Sequence, residues 1–65
     1  MRTLAVGHVI AHAGTDSSYI LLVIGKVPNG KWSCLVLMDS INLQTAGQIV
    51  VYSKSDLTRY FERLG

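Results

Sequence analysis

"YILLVIGKVPNGKWSCLVLM", residues 19–38, decides the fold. Its centre, Pro28-Asn29-Gly30, is a turn by chemistry: proline presets φ, and asparagine and glycine accept the left-handed region. Its flanks are rich in β-branched and other large apolar residues and too short for stable helices, so they read as two strands of a hairpin, Tyr19–Val27 and Lys31–Met38. Two turn geometries fit. In one, Pro28 opens a type I turn and Gly30 forms a bulge; in the other, Asn29-Gly30 is a type I′ turn with Pro28 outside it. They differ by one residue of register.

Both strands are apolar on both faces. Alternation places Tyr19, Leu21, Val23 and Val27 against Ile20, Leu22 and Ile24, and Trp32, Cys34, Val36 and Met38 against Ser33, Leu35 and Leu37. A sheet with one wet face should carry polar residues on one of these sets. Three arrangements account for their absence. The second face is covered by a helix of the same chain, it meets another copy of the chain, or it receives a different partner.

Upstream, "LAVGHVIAHA", residues 4–13, alternates Leu4, Val6 and Ile10 with smaller residues and predicts a first strand, joined to the hairpin through the loop "GTDSS", residues 14–18. Downstream, "DSINLQTAG", residues 39–47, reads as an irregular connection with a short extended piece around Ile41 to Leu43. "QIVVYS", residues 48–53, reads as a further strand. In "SKSDLTRYFERLG" the period changes: Leu57, Tyr60, Phe61 and Leu64 fall at i, i+3, i+4 and i+7, one face of a terminal helix of two to three turns. Ser53 or Ser55 is its N-cap, Asp56 lies in its first turn, Arg63 in its last, and Gly65 is its terminator.

The expectation is therefore a single mainly β domain over residues 1–65: a strongly bent antiparallel sheet or barrel of four to five strands with a short C-terminal helix. At 65 residues the chain buries only roughly 60% of its unfolded surface, and one cysteine, Cys34, excludes an internal disulfide. Self-association is the remaining common route to stability, so a homo-oligomer, dimer or higher, is expected. No apolar run approaches the roughly 20 residues of a spanning helix, and Gly7, His8 and His12 interrupt any signal-peptide core. The reading is a cytoplasmic chain without membrane contact. The net charge of +2 comes from few groups and says little about nucleic acid.

No residue pattern announces catalysis. His8 and His12 share a strand face, but four residues of strand span about 13 Å, too far for one ion. Neither a metal nor a cofactor is expected. Cys34 has no activating neighbour in sequence and reads as a small buried hydrophobe. Asp16, Asp39, Asp56 and Glu62 form no catalytic pair. The candidate partner-binding surface is the hairpin tip, with Trp32 as anchor beside Lys26, Lys31 and Asn29, together with the 39–47 loop. If Trp32 is instead a core residue, that anchor disappears. Lys26, Lys31, Arg59 and Arg63, the last two expected one turn apart on the helix, are the candidate contacts for nucleic acid.

The element order resembles the small SH3-like barrel. With "VGHVIAHAG" near the start and "GQIVVYSKSDLTRYFERL" at the end, the chain looks like short uncharacterised proteins of bacteriophages and mobile elements. That resemblance implies a non-enzymatic accessory protein that binds a host or phage protein in the host cytoplasm. Plasmid-type dihydrofolate reductase is similar in being a small assembled barrel, and would imply an oligomeric enzyme with a site shared between subunits. Its Val-Gln-Ile-Tyr motif is interrupted here at Gln48-Ile49-Val50-Val51-Tyr52, which removes the reason to carry the activity over. The carbon-storage regulator family of dimeric RNA binders also ends in strand then helix, but "MRTLAVGHVI" lacks its arginine-rich opening strand.

Overall fold

A computed structural model describes residues 3–13 and 18–64. The loop at 14–17, with Asp16, and the expected terminator Gly65 lie outside the described residues. The strands are β1 (Val9–His12), β2 (Tyr19–Val27), β3 (Lys31–Asp39), β4 (Ile49–Ser53) and β5 (Phe61–Arg63), and the helix α1 is Lys54–Tyr60. All pairings are antiparallel within one five-stranded sheet of order β4-β3-β2-β1-β5.

The β2–β3 hairpin forms as its sequence dictates. Asn29 (φ 71°, ψ 20°) and Gly30 (φ 72°) are both left-handed. These are the conformations of the type I′ reading. Val27 pairs with Lys31, so Pro28, Asn29 and Gly30 form a three-residue loop: the register is that of the first reading, while the left-handed Asn29-Gly30 pair is that of the second. The first strand is shorter than alternation suggests. Gly7 (φ 93°) sits at the third position of a turn closed by the His8 N–H donating to Ala5 O (3.2 Å), and regular pairing starts at Val9.

Two bulges change the facing of the long strands. Val23 pairs with Cys34 but Gly25 with Ser33, leaving Ile24 extra on β2; Leu21 pairs with Val36 but Ile20 with Met38, leaving Leu37 extra on β3. Each extra residue reverses the alternation beyond it. Val27 and Met38, expected on the inward set, therefore face outward, while Lys26 shares the inward face with Trp32 and Tyr52. Strict period-two reading cannot register a bulge.

The terminal segment departs most from expectation. Only seven residues are helical; Phe61, Glu62 and Arg63 form β5 against β1, with His12 opposite Phe61 and Ile10 opposite Arg63. Leu57 and Phe61 are buried, at 0% and 4% exposure, but Tyr60 is 48% and Leu64 60% exposed. The expected four-residue helix face is thus two inward contacts made by different elements. The helix start is as read: Ser53 Oγ accepts from the Asp56 N–H (3.1 Å), and Asp56 lies in the first turn. The 39–47 connection is irregular, with Asn42 extended (φ −127°, ψ 92°) between turns. Asp39 Oδ1 accepts from the Ile41 and Asn42 N–H groups, Asn42 Oδ1 accepts from the Gln44 N–H, and Leu43–Thr45 is a 3-10 turn.

The sheet is strongly curled, and aromatic contacts prove it. β4 and β5 are opposite edges, about 19 Å apart in a flat five-stranded sheet. Yet the ring centroids of Tyr52 on β4 and Phe61 on β5 are 5.9 Å apart. Tyr19 pairs beside Asp39 and Tyr52 beside Trp32, positions separated by about 23 Å of straight strand. Their hydroxyls nevertheless approach to 2.9 Å. The seven residues of α1, about 10 Å long, bridge the two edges where they converge. Inside the curl lies the core: Ile10, Leu21, Val23, Cys34, Val36, Leu57 and Phe61, flanked by Leu4, Tyr19, Trp32, Val50 and Tyr52.

Candidate functional site: the outer sheet face

The register that sends Leu21, Val23, Cys34 and Val36 inward sends an equally apolar set outward. Val9 on β1 pairs with Leu22 on β2, Leu22 with Leu35 on β3, and Leu35 with Ile49 on β4. One apolar row therefore crosses four adjacent strands on the convex side of the sheet. A second row, Ala11, Ile20 and Met38, lies beside it and ends in Glu62 on β5; a third, Gly25, Ser33 and Val51, lies on the other flank. Cross-strand neighbours of this kind sit close enough to pack against one another, so the three rows form one surface. Val9, Leu22 and Leu35 are half-buried, while Ile49 and Met38 are exposed at 55% and 48%.

The helix does not cover this face. Its one fully buried side chain, Leu57, enters the interior core instead. Of the three arrangements the sequence left open, coverage by the terminal helix is thereby removed, because α1 spans the gap between the sheet edges rather than lying on the sheet.

The residues expected to bind a partner divide. Lys26, Lys31 and Asn29 are exposed at the hairpin tip. Trp32 is half-buried and packs against the core, with Nε1 buried and without a hydrogen-bond partner among the described residues. The tip lies at one end of β3 and the connection to β4 leaves from the other, so the strand separates the two parts of the expected surface. Among the basic residues, Arg59 is on α1 with its guanidinium carbon 6.0 Å from the Tyr60 ring centre, whereas Arg63 belongs to β5. The expected pairing of Arg59 and Arg63 along one helix is corrected accordingly.

The remaining chemistry is quiet. His8 and His12 are half-buried, and each has a buried Nδ1 without a partner among the described residues. The His12 ring lies edge-on to Phe61 and parallel to Tyr60, at 5.3 and 6.4 Å between centres. Among the described residues there is no group of three His, Cys, Asp or Glu able to hold a metal ion. Cys34 is buried in the core, and burial pushes its thiol pKa up, away from the reactive thiolate. Burial, reinforced by the hydrogen bond with Tyr52, holds the Tyr19 phenol well above its ordinary range. Among the described residues no helix is long and apolar enough to cross a membrane. The chain matches no protein-family model, and no curated protein or solved structure matches it.

The outer rows were readable in sequence as a second apolar set. What alternation missed was the placement of Met38 within them, which depends on the Leu37 bulge.

Proposed function

We propose that this chain is a small non-enzymatic binding protein that self-associates through its outer sheet face, as a dimer or higher oligomer, and acts by protein–protein contact. The carrying observation is the Val9–Leu22–Leu35–Ile49 row across four strands, left outside the core. An antiparallel sheet open to water ordinarily alternates apolar with polar residues, and this one does not. A second copy supplies the same surface in reverse about a two-fold axis, so each apolar row meets an apolar row. A standard interface takes about 800 Å² per partner, roughly a fifth of the 4235 Å² the chain exposes.

Within this reading the fold is a small SH3-like barrel of the kind carried by bacteriophages and mobile elements. The order that returns β5 beside β1, the curl that brings the edge strands together and the short helix between the last two strands support it. The partner beyond self-association is a host or phage protein met in the cytoplasm. The polar hairpin tip of Lys26, Asn29 and Lys31, rather than Trp32, is the contact surface there, because those three side chains are exposed. Fold alone carries no activity, so the assignment rests on the surfaces.

Dilution followed by methyl NMR tests the interface. Self-association through this face shifts the methyl signals of Val9, Leu22, Leu35 and Ile49 with concentration and leaves those of Ile10, Leu21 and Val36 unmoved. Concentration-independent spectra, or shifts confined to the hairpin tip, refute it.

A further inference from the structure

On the opposite side of the sheet, where its edges converge, a cleft of about 260 Å³ opens between β1, β2, β4 and α1. Its lining is His12, Tyr19, Tyr52, Asp56, Tyr60 and Phe61. We propose that this cleft is a binding site for an organic ammonium cation, held over aromatic rings and opposite the Asp56 carboxylate.

Three properties of the site select that chemistry. The first is the aromatic lining. Phe61 is at the centre, with the rings of Tyr19 and Tyr52 at 6.0 and 5.9 Å in tilted orientations and His12 edge-on at 5.3 Å. Tilted rings around a hollow present more than one π face to its contents, and the negative faces of Tyr and Phe attract a cation placed over them. The pairing of the Tyr19 and Tyr52 hydroxyls at 2.9 Å holds both rings in place.

Charge is the second. Among the described residues, Asp56 is the one carboxylate in the lining, no Lys or Arg belongs to it, and the carboxylate has no ion-pair partner. An anion would meet repulsion there, and a neutral apolar group would leave the carboxylate unused. A metal ion would lack ligands, since no group of three His, Cys, Asp or Glu occurs among the described residues. Arg59 shows that this corner accepts positive charge over a ring: its guanidinium carbon is 6.0 Å from the centre of Tyr60.

Size is the third. The volume falls below the roughly 300–1,000 Å³ of sites for drug-sized ligands, and suits a single headgroup such as a methylated amine. That headgroup can belong to a free small molecule or terminate a modified lysine side chain. The cleft is built from residues on the inward side of the sheet and does not depend on the self-association of the outer face.

Choline and its neutral isostere 3,3-dimethyl-1-butanol provide the test on the unaltered protein, read by the NMR shifts of the Tyr19, Tyr52 and Phe61 ring protons. The site predicts saturable shifts with choline and at least about tenfold weaker binding of the alcohol. Asp56→Asn weakens choline by about threefold to tenfold, and Arg59→Gln, which removes a nearby positive charge, tightens it. Both positions are exposed, so the fold tolerates the changes. A trimethyllysine dipeptide binding more tightly than choline identifies a protein side chain as the source, and the reverse order identifies a free metabolite. Equal binding of choline and the alcohol, no saturable ring-proton shift, or no response to either charge change overturns the proposal.

Discussion

Replacing Phe61 and Leu64 in parallel distinguishes the curled sheet from a simple terminal helix. Phe61 is 4% exposed and places its ring within 6.0 Å, centre to centre, of Tyr19, with Tyr52 and His12 closer still. It is the point at which strands from both edges of the sheet meet. Truncating a buried phenylalanine to alanine costs about 3–5 kcal/mol through lost transfer energy and the cavity left behind. A 65-residue chain has a total stability of roughly 3–10 kcal/mol at the usual value per residue. Phe61→Ala is therefore expected to unfold the protein or bring it close to unfolding. Phe61→Leu keeps much of the volume and should cost about 1–1.5 kcal/mol, within reach of urea titration followed by circular dichroism. Leu64→Ala is the control. On a helix face with Leu57 and Phe61, Leu64 would be buried and its loss would cost about 2–5 kcal/mol; at 60% exposure beyond β5 it should cost no more than about 0.5 kcal/mol. A loss of about 2 kcal/mol or more for Leu64→Ala would refute the strand assignment, and a Phe61→Ala protein within about 1 kcal/mol of the parent would refute the closure built on Phe61.

Alkali should destabilise the fold through Tyr19. Its pKa is raised above the ordinary 10.0, chiefly by burial, so the native state holds the proton more tightly than the unfolded chain does. That contribution is complete below the unfolded pKa and declines as pH rises above about 10. Melting temperatures measured upward from pH 8 should fall more steeply for the parent than for Tyr19→Phe, with Cys34 retained in both because its raised pKa acts in the same direction; parallel curves would contradict the burial of the phenol. At the start of α1, Ser53→Ala removes the acceptor for the Asp56 N–H and should cost about 1 kcal/mol in denaturant titration, with Ser53→Asp restoring most of it. An alanine variant as stable as the parent would show that the cap contributes nothing.

What the sequence made legible follows from the range of the interactions. The hairpin depends on neighbours: Pro28, Asn29 and Gly30 specify a turn locally, and Tyr19–Val27 is the strand found. The N-cap at Ser53 is equally local. The two bulges are not, because whether Ile24 or Leu37 is the extra residue depends on how one strand accommodates the curvature of its neighbour. The end of α1 was hidden for a related reason. Leu57, Tyr60, Phe61 and Leu64 have helical spacing, but pairing with β1 offers Phe61 and Arg63 backbone partners opposite His12 and Ile10. Tertiary pairing overrides a short periodic signal. The meeting of Tyr19 with Tyr52, 33 residues apart, has no local trace at all. Of the candidate surfaces, the outer apolar set was visible as an excess of hydrophobic residues, whereas the aromatic cleft assembles only when the sheet curls.

The outer face is tested most directly by mass measured in light scattering over a dilution series, for the parent and for Ile49→Lys. Ile49 ends the apolar row at 55% exposure, so a lysine there can reach water without disturbing the core, while at an interface it buries a charge. Self-association predicts a parent mass of twice 7.1 kDa or more at high concentration that falls on dilution, and a folded, monomeric Ile49→Lys across the same range. A parent that is monomeric at every concentration, or a lysine variant that assembles as the parent does, would contradict the account.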